Sequence, residues 1–161
     1  MVLQKVNVLN DRLPQNISAF MGGVITGFSM GEASFCVYIT KSKAHRIGYC
    51  VRPVFKINLK IDDRPILDQI EKTLECGRVR EWGNAVTYEV SKLMDIVEII
   101  IPFFEQYPLQ NKKVSDLQLF KIICYKLVLG EGKTIEGIKR IISIREVMNN
   151  GGCASRKKIV V

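Results

Sequence analysis

Three features of the chain predict an α+β domain. The first is the order of its periodic stretches over 161 residues: helix, two strands, helix, two strands, helix, then two more helices. The second is turn chemistry between neighbouring strands. The third is a polar, largely basic face that recurs at every second residue. Strands arranged in adjacent pairs give a four-stranded antiparallel sheet, with helices on one face and the opposite face bare and basic. The length suffices for a single domain with its own core. An apolar content of 47% with 25% charged residues is ordinary for a globular chain.

Residues 1–16 read as an N-terminal tail with turn residues Asn10, Asp11 and Pro14, residues 17–150 as the domain, and residues 151–161 as a basic tail. The first helix runs from about Ser18 to Met30. Gly23 and Gly27 are four apart and share one face, at a cost of about 1 kcal/mol each in helix propensity. A second helix approaching to backbone contact would explain them. Gly31 is expected to stop the helix in a left-handed turn. Glu32 then follows at the negative end of the helix dipole, an unfavourable place for a structural carboxylate and so a candidate functional one.

Phe35, Val37 and Ile39 alternate with Cys36, Tyr38 and Thr40, which predicts a strand over Ser34 to Thr40. A basic loop, Lys41 to Arg46, leads to a second strand from Tyr49 to Lys60. There Val51, Phe55, Ile57 and Leu59 face one way and Arg52, Lys56 and Asn58 the other. That pattern fits a sheet facing nucleic acid and a plain solvated sheet equally. Asp63 and Pro65 open a helix whose buried stripe is Ile66, Leu67, Ile70 and Leu74. Gly77 leads into a hairpin turning at Gly83-Asn84, with Arg78, Arg80, Thr87 and Glu89 on one side and Val79, Val86, Tyr88 and Val90 on the other. Trp82 is expected to pack on that hairpin, stacking on a base being the alternative. Ser91 is expected to cap a helix ending at Pro102, and a long helix runs from Lys113 to about Leu129. After Gly130 and Gly132, Thr134 caps the last helix, which reaches about Met148.

The net charge of +8, from 24 Lys and Arg against 16 Asp and Glu, favours a polyanionic partner without choosing among DNA, RNA and anionic lipid. The apolar run from Ile99 to Phe104 is far too short for a membrane span, and no signal-peptide core is evident, so no membrane is expected as partner. Five cysteines without C-x-x-C spacing read as reduced thiols of an intracellular compartment. His45, alone in a polar loop, reads as a solvated histidine.

Gly27 to Phe35, G-F-S-M-G-E-A-S-F, resembles the G-F-x-x-G-E-G-S-F form of the signature of LAGLIDADG homing endonucleases. Three further blocks, Tyr49 to Ile57, Ile100 to Leu109 (I-I-P-F-F-E-Q-Y-P-L) and Ile142 to Asn149, are similar to that family in the same order. The resemblance covers about Leu13 to Asn150 and is nearest the C-terminal half of two-repeat members. It implies an αββαββα core with extra C-terminal helices. Met30 stands where the family name has its first Asp, and Ala33 where a Gly is usual; the acid that the family uses for metal corresponds to Glu32.

A sheet of this kind can lie in the major groove. Candidate nucleic-acid contacts are Tyr38, Thr40, Arg52, Lys56, Asn58, Arg78, Arg80, Thr87 and Glu89, with Lys41, Lys43 and Arg46 on phosphates. Cutting both strands needs two centres, and one signature is present. The resemblance therefore implies a homodimer, or a second half, pairing through Gly23 and Gly27. Two Glu32 carboxylates would then hold Mg²⁺, and Lys113 would stabilise the charge developing on the phosphate. The expected function is site-specific cleavage of double-stranded DNA in an organelle, the mitochondrial or chloroplast matrix. The alternative is an inactive binder of structured RNA on the same scaffold, an intron maturase or a ribonucleoprotein component.

Overall fold

The computed structural model describes residues 12–148. Helix α1 (Ala19–Glu32) leads directly into β1 (Ala33–Lys41), followed by β2 (Tyr49–Lys60). A 3₁₀ turn, Ile61–Asp63, precedes α2 (Arg64–Leu74), and then come β3 (Arg78–Trp82) and β4 (Ala85–Val90). Helices α3 (Leu93–Asp95) and α4 (Ile101–Gln106) are joined through a π-helical stretch, Ile96–Ile100. Helix α5 (Lys113–Val128), a 3₁₀ turn at Glu131–Lys133 and α6 (Ile135–Val147) complete the order. The four strands form one antiparallel sheet in the order β1-β2-β4-β3.

The sheet buries one face. Phe35, Val37, Phe55, Ile57, Val86, Tyr88 and Val90 point into the core, as their alternation predicts. Helices reach them through aromatic contacts: the Phe35 ring lies 5.4 Å from Phe55 and 5.4 Å from Phe120 of α5, and Phe104 of α4 meets both Phe35 and Phe55 edge-on. Helix α2 adds Leu67, Ile70 and Leu74, all fully buried. At Gly77 (φ +79°) a Cβ would sit 2.7 Å from the Glu89 carbonyl oxygen, so only glycine starts β3 this close to β4. The first helix is capped as its sequence suggests, with the Ser18 hydroxyl accepting from Met21 N at 3.1 Å. Thr134 likewise accepts from Gly137 N in front of α6.

Five expectations change. Gly31 does not stop α1: its backbone stays helical, and the helix runs through Glu32 into extended Ala33. The orphan carbonyls of the last turn are instead taken by side chains some eighty residues downstream, so no left-handed cap is needed. Ser91 is not the cap before α3; Lys92 holds that position, with no side-chain hydrogen bond. Pro102 does not end its helix either, since it occupies the first turn of α4, where a missing N–H costs least. It cannot donate to the Glu98 carbonyl, and that oxygen accepts from Arg12 N at 3.1 Å. The same Arg12 side chain bridges Asp95 and Glu98, and Leu13 is buried in the core, so the expected tail joins the fold from residue 12. Residues 1–11 and the basic tail 151–161 lie outside the described residues. Trp82, finally, is not buried by packing on the hairpin: it stands 70% exposed at the hairpin's end, opposite Ala85.

Candidate nucleic-acid interface and active site

The strand register turns the open face of the sheet into a series of cross-strand rows. Ser34, Lys56, Glu89 and Arg78 form a row spanning all four strands. On one side lie the rows Asn58–Thr87–Arg80 and Lys60–Ala85–Trp82. On the other lie Cys36–Val54, Tyr38–Arg52 and Thr40–Cys50. Tyr38, Thr40, Arg52, Lys56, Asn58, Arg78, Arg80, Thr87 and Glu89 are therefore all on one face. Lys43 and Arg46 are exposed in the β1–β2 loop, and Lys41, the last residue of β1, is exposed but has the parity of helix-side Ile39. A strand the length of β2 spans roughly 40 Å at about 3.3 Å per residue, comparable with one turn of duplex DNA.

Several of these side chains are fixed before any ligand arrives. The Arg52 guanidinium carbon lies 5.5 Å from the Tyr38 ring centre and the Lys56 ammonium 6.0 Å from it. Lys56 also donates to the Tyr38 hydroxyl at 3.3 Å. Burial opposes the Lys56 charge, but the hydrogen bond to Tyr38 and nearby negative charge outweigh it and hold the ammonium's pKa above its ordinary value. Val54 lies between Arg52 and Lys56 on this face but is 1% exposed, so it adds no apolar surface among the charges. Thr87 donates to the Asn58 amide oxygen at 2.7 Å, which orients the amide and leaves its NH₂ group toward the open face. In the loop, Ser42 and His45 Nδ1 are 2.9 Å apart, and the exposed histidine belongs to no group of three or more metal-ligating side chains among the described residues. Cys36, Cys50, Cys76 and Cys124 are all free thiols, and burial pushes the Cys76 pKa up to about 11; Cys153 lies outside the described residues.

Glu32 is the last residue of α1, exposed and without a hydrogen bond or ion pair to the described residues. It lines a shallow groove with Gly23, Val24, Gly27, Phe28 and Gly31. A Cβ added at Gly23, Gly27 or Gly31 would meet nothing within 4 Å, and Phe20 on the same helix is 77% exposed. This side of α1 is thus uncovered by the described residues, and the groove ends at the candidate metal ligand. Lys113, at the start of α5, comes to the same helix end but turns toward backbone. Its ammonium donates to the carbonyls of Ser29 at 3.1 Å, Gly31 at 3.0 Å and Ala33 at 2.7 Å. Asn111 adds a fourth bond, to Met30 O at 2.9 Å. Burial lowers the Lys113 pKa, while the Glu32 charge acts in the opposite direction. All three ammonium protons are engaged, so in this arrangement Lys113 closes the helix C-terminus.

The sequence reading missed three residues at this surface. Lys60 continues the two-residue period of Lys56 and Asn58 and could have been found by counting on. Asn111 carries no local signal for its contact with α1. Trp82, expected to pack on the hairpin with base stacking as the alternative, stands on β3 at the edge of the sheet, where it is exposed.

The family model described as LAGLIDADG endonuclease matches residues 25–124. Probable intron-encoded endonuclease 2 of Neurospora crassa is 35% identical over 152 residues, covering 90% of this chain and 34% of that protein. Among solved structures, the LAGLIDADG homing endonuclease I-LtrWI bound to target DNA is 34% identical with a TM-score of 0.77, over 86% of this chain and 46% of that one. The homing endonuclease I-TnaI is 30% identical with a TM-score of 0.76, over 81% of this chain and 89% of that one. The chain thus spans about a third of its curated Neurospora relative and about half of I-LtrWI. No helix among the described residues is long and apolar enough to cross a membrane.

Proposed function

Because the chain belongs to the LAGLIDADG endonuclease family, we propose that it is one half of a site-specific double-strand DNA endonuclease, working as a homodimer or against a second half of the same kind. The observation that carries this is the placement of Glu32: a carboxylate without a partner, at the exposed end of a helix, where the glycine groove meets the basic sheet. A second helix of the same kind laid along Gly23 and Gly27 would bring a second such carboxylate beside the first.

One chain alone does not complete a metal site, since no group of three acidic, histidine or cysteine side chains gathers among the described residues. Two Glu32 carboxylates with phosphate oxygens and waters would supply the hard oxygen shell that Mg²⁺ prefers. A cation held there polarises phosphate and water. The chain's own residues do the rest. Tyr38, Thr40, Arg52, Lys56, Asn58, Arg78, Arg80, Thr87 and Glu89 face the major groove, and Lys41, Lys43 and Arg46 take phosphates. Lys113 fixes the backbone that carries Glu32 and, on exchanging one carbonyl for a phosphate oxygen, would neutralise charge there. Duplex DNA as partner is supported by the related structure that carries its target. The intron-encoded relative supports an intron-borne gene, and with it the organellar matrix as the place of action.

One observation favours a second reading. All three Lys113 protons serve the backbone, and Met30 stands where the family has an acid. A binder of structured RNA would keep the basic sheet and need no more of Lys113 than this. The two readings separate on a selected duplex target incubated with Mg²⁺. Wild type should cut both strands, and Glu32→Gln should cut about 10²-fold more slowly or worse, the order lost with one charge-stabilising group. No cleavage with any divalent cation, together with tight binding of structured RNA, would give the function to the second reading.

A further inference from the structure

Trp82 is the sole tryptophan of the chain, and 70% of it is exposed. Its direction is set by its neighbour: Glu81 turns to the helix side and pairs with Arg64, which leaves Trp82 on the open face. There it stands opposite exposed Ala85, with Lys60 completing the row and Arg80 in the next row inward. This is the end of the face farthest from the β1–β2 loop, at the tip of the β3–β4 hairpin. An indole and an alanine methyl therefore form a small apolar patch at the rim of a largely polar and charged surface.

In an intact duplex the base faces are stacked and closed to an indole. The apolar group that the major groove offers is the thymine 5-methyl. We propose that Trp82, seated against Ala85, is a specificity-determining residue that takes a thymine methyl at the outer edge of the recognised site. This rests on the duplex-DNA function argued above.

Because the chain has one tryptophan, its emission reports on this residue alone. A selected duplex is labelled at one end and titrated with wild-type chain, following both label anisotropy and indole emission. Thymines in the outer positions are then replaced one at a time by deoxyuridine, which removes the methyl and leaves the pairing unchanged. The inference expects emission to change together with anisotropy, and one outer replacement to weaken binding about 4-fold, the worth of one buried methyl group. Trp82→Ala should weaken binding to the thymine duplex by at least as much and should not distinguish thymine from uracil at that position. Trp82→Phe, which keeps an apolar ring, should retain part of the discrimination. Duplex binding by anisotropy with unchanged indole emission would overturn the inference alone. So would a uracil series without effect, or a Trp82→Ala variant that still discriminates. Absence of any rise in anisotropy would remove the duplex reading together with this one.

Discussion

The two sides of α1 carry glycine for opposite reasons. On the inner side, a Cβ at Gly22 would lie 2.2 Å from the Tyr107 ring. That ring cannot step aside, because its hydroxyl donates to Ile17 O at 3.2 Å, its face lies against Phe103, and Thr26 holds its carbonyl. On the outer side, Gly23 and Gly27 face nothing within 4 Å. Gly22 is required by the fold of this one chain. Gly23 and Gly27 cost the isolated chain helix propensity and make no close contact among the described residues. A residue type that the described fold does not need, repeated on one face beside an exposed carboxylate, fits the second helix proposed above.

That contrast can be broken by substitution. Gly22→Ala drives a methyl into an anchored ring and should destabilise the chain by about 3 kcal/mol, the upper end of the cost of overpacking. A thermal or denaturant melt measures it, and an unchanged midpoint would mean that Tyr107 is not held as described. Lys113→Met acts where the two sides meet, at the last turn of α1. It strips a charged donor from three carbonyls and should cost about 2 kcal/mol in the same melt. A loss confined to cleavage, with stability intact, would instead place Lys113 at the phosphate rather than on the backbone. Gly23→Ala should do the reverse of Gly22→Ala, raising the melting midpoint of the unpaired chain through a gain of about 1 kcal/mol in helix propensity.

Much of this was legible in the sequence wherever the determinant was local. The period-two alternation of β2 places its bounds at Tyr49 and Lys60, as observed, and puts Arg52, Lys56 and Asn58 on one face. The Ser18 and Thr134 caps needed only their own first turns. What escaped was set by contacts distant in sequence. The end of α1 depends on Lys113 and Asn111, so a stop at Gly31 was the natural local inference and was wrong. Gly22 looks like Gly23 until Tyr107 is placed against it. Pro102 reads as a terminator because its helix could not be seen to shift register just before it. At the site, the open face was found from alternation, but its rows needed the pairing of β2 with β4 across an intervening helix and strand. Trp82 followed the same rule, since its surroundings belong to the register rather than to its neighbours in sequence.

The central claim is that the glycine side of α1 receives a second helix of its own kind, and for this chain by itself that means a second copy. Sedimentation of wild type and Gly27→Leu, each with and without a selected duplex, tests it most directly. A leucine at an open position leaves the single chain folded while filling the groove. The account predicts a two-copy mass for wild type, at least on the duplex, and a one-copy mass for the variant. Identical one-copy masses for both proteins under all conditions would contradict it.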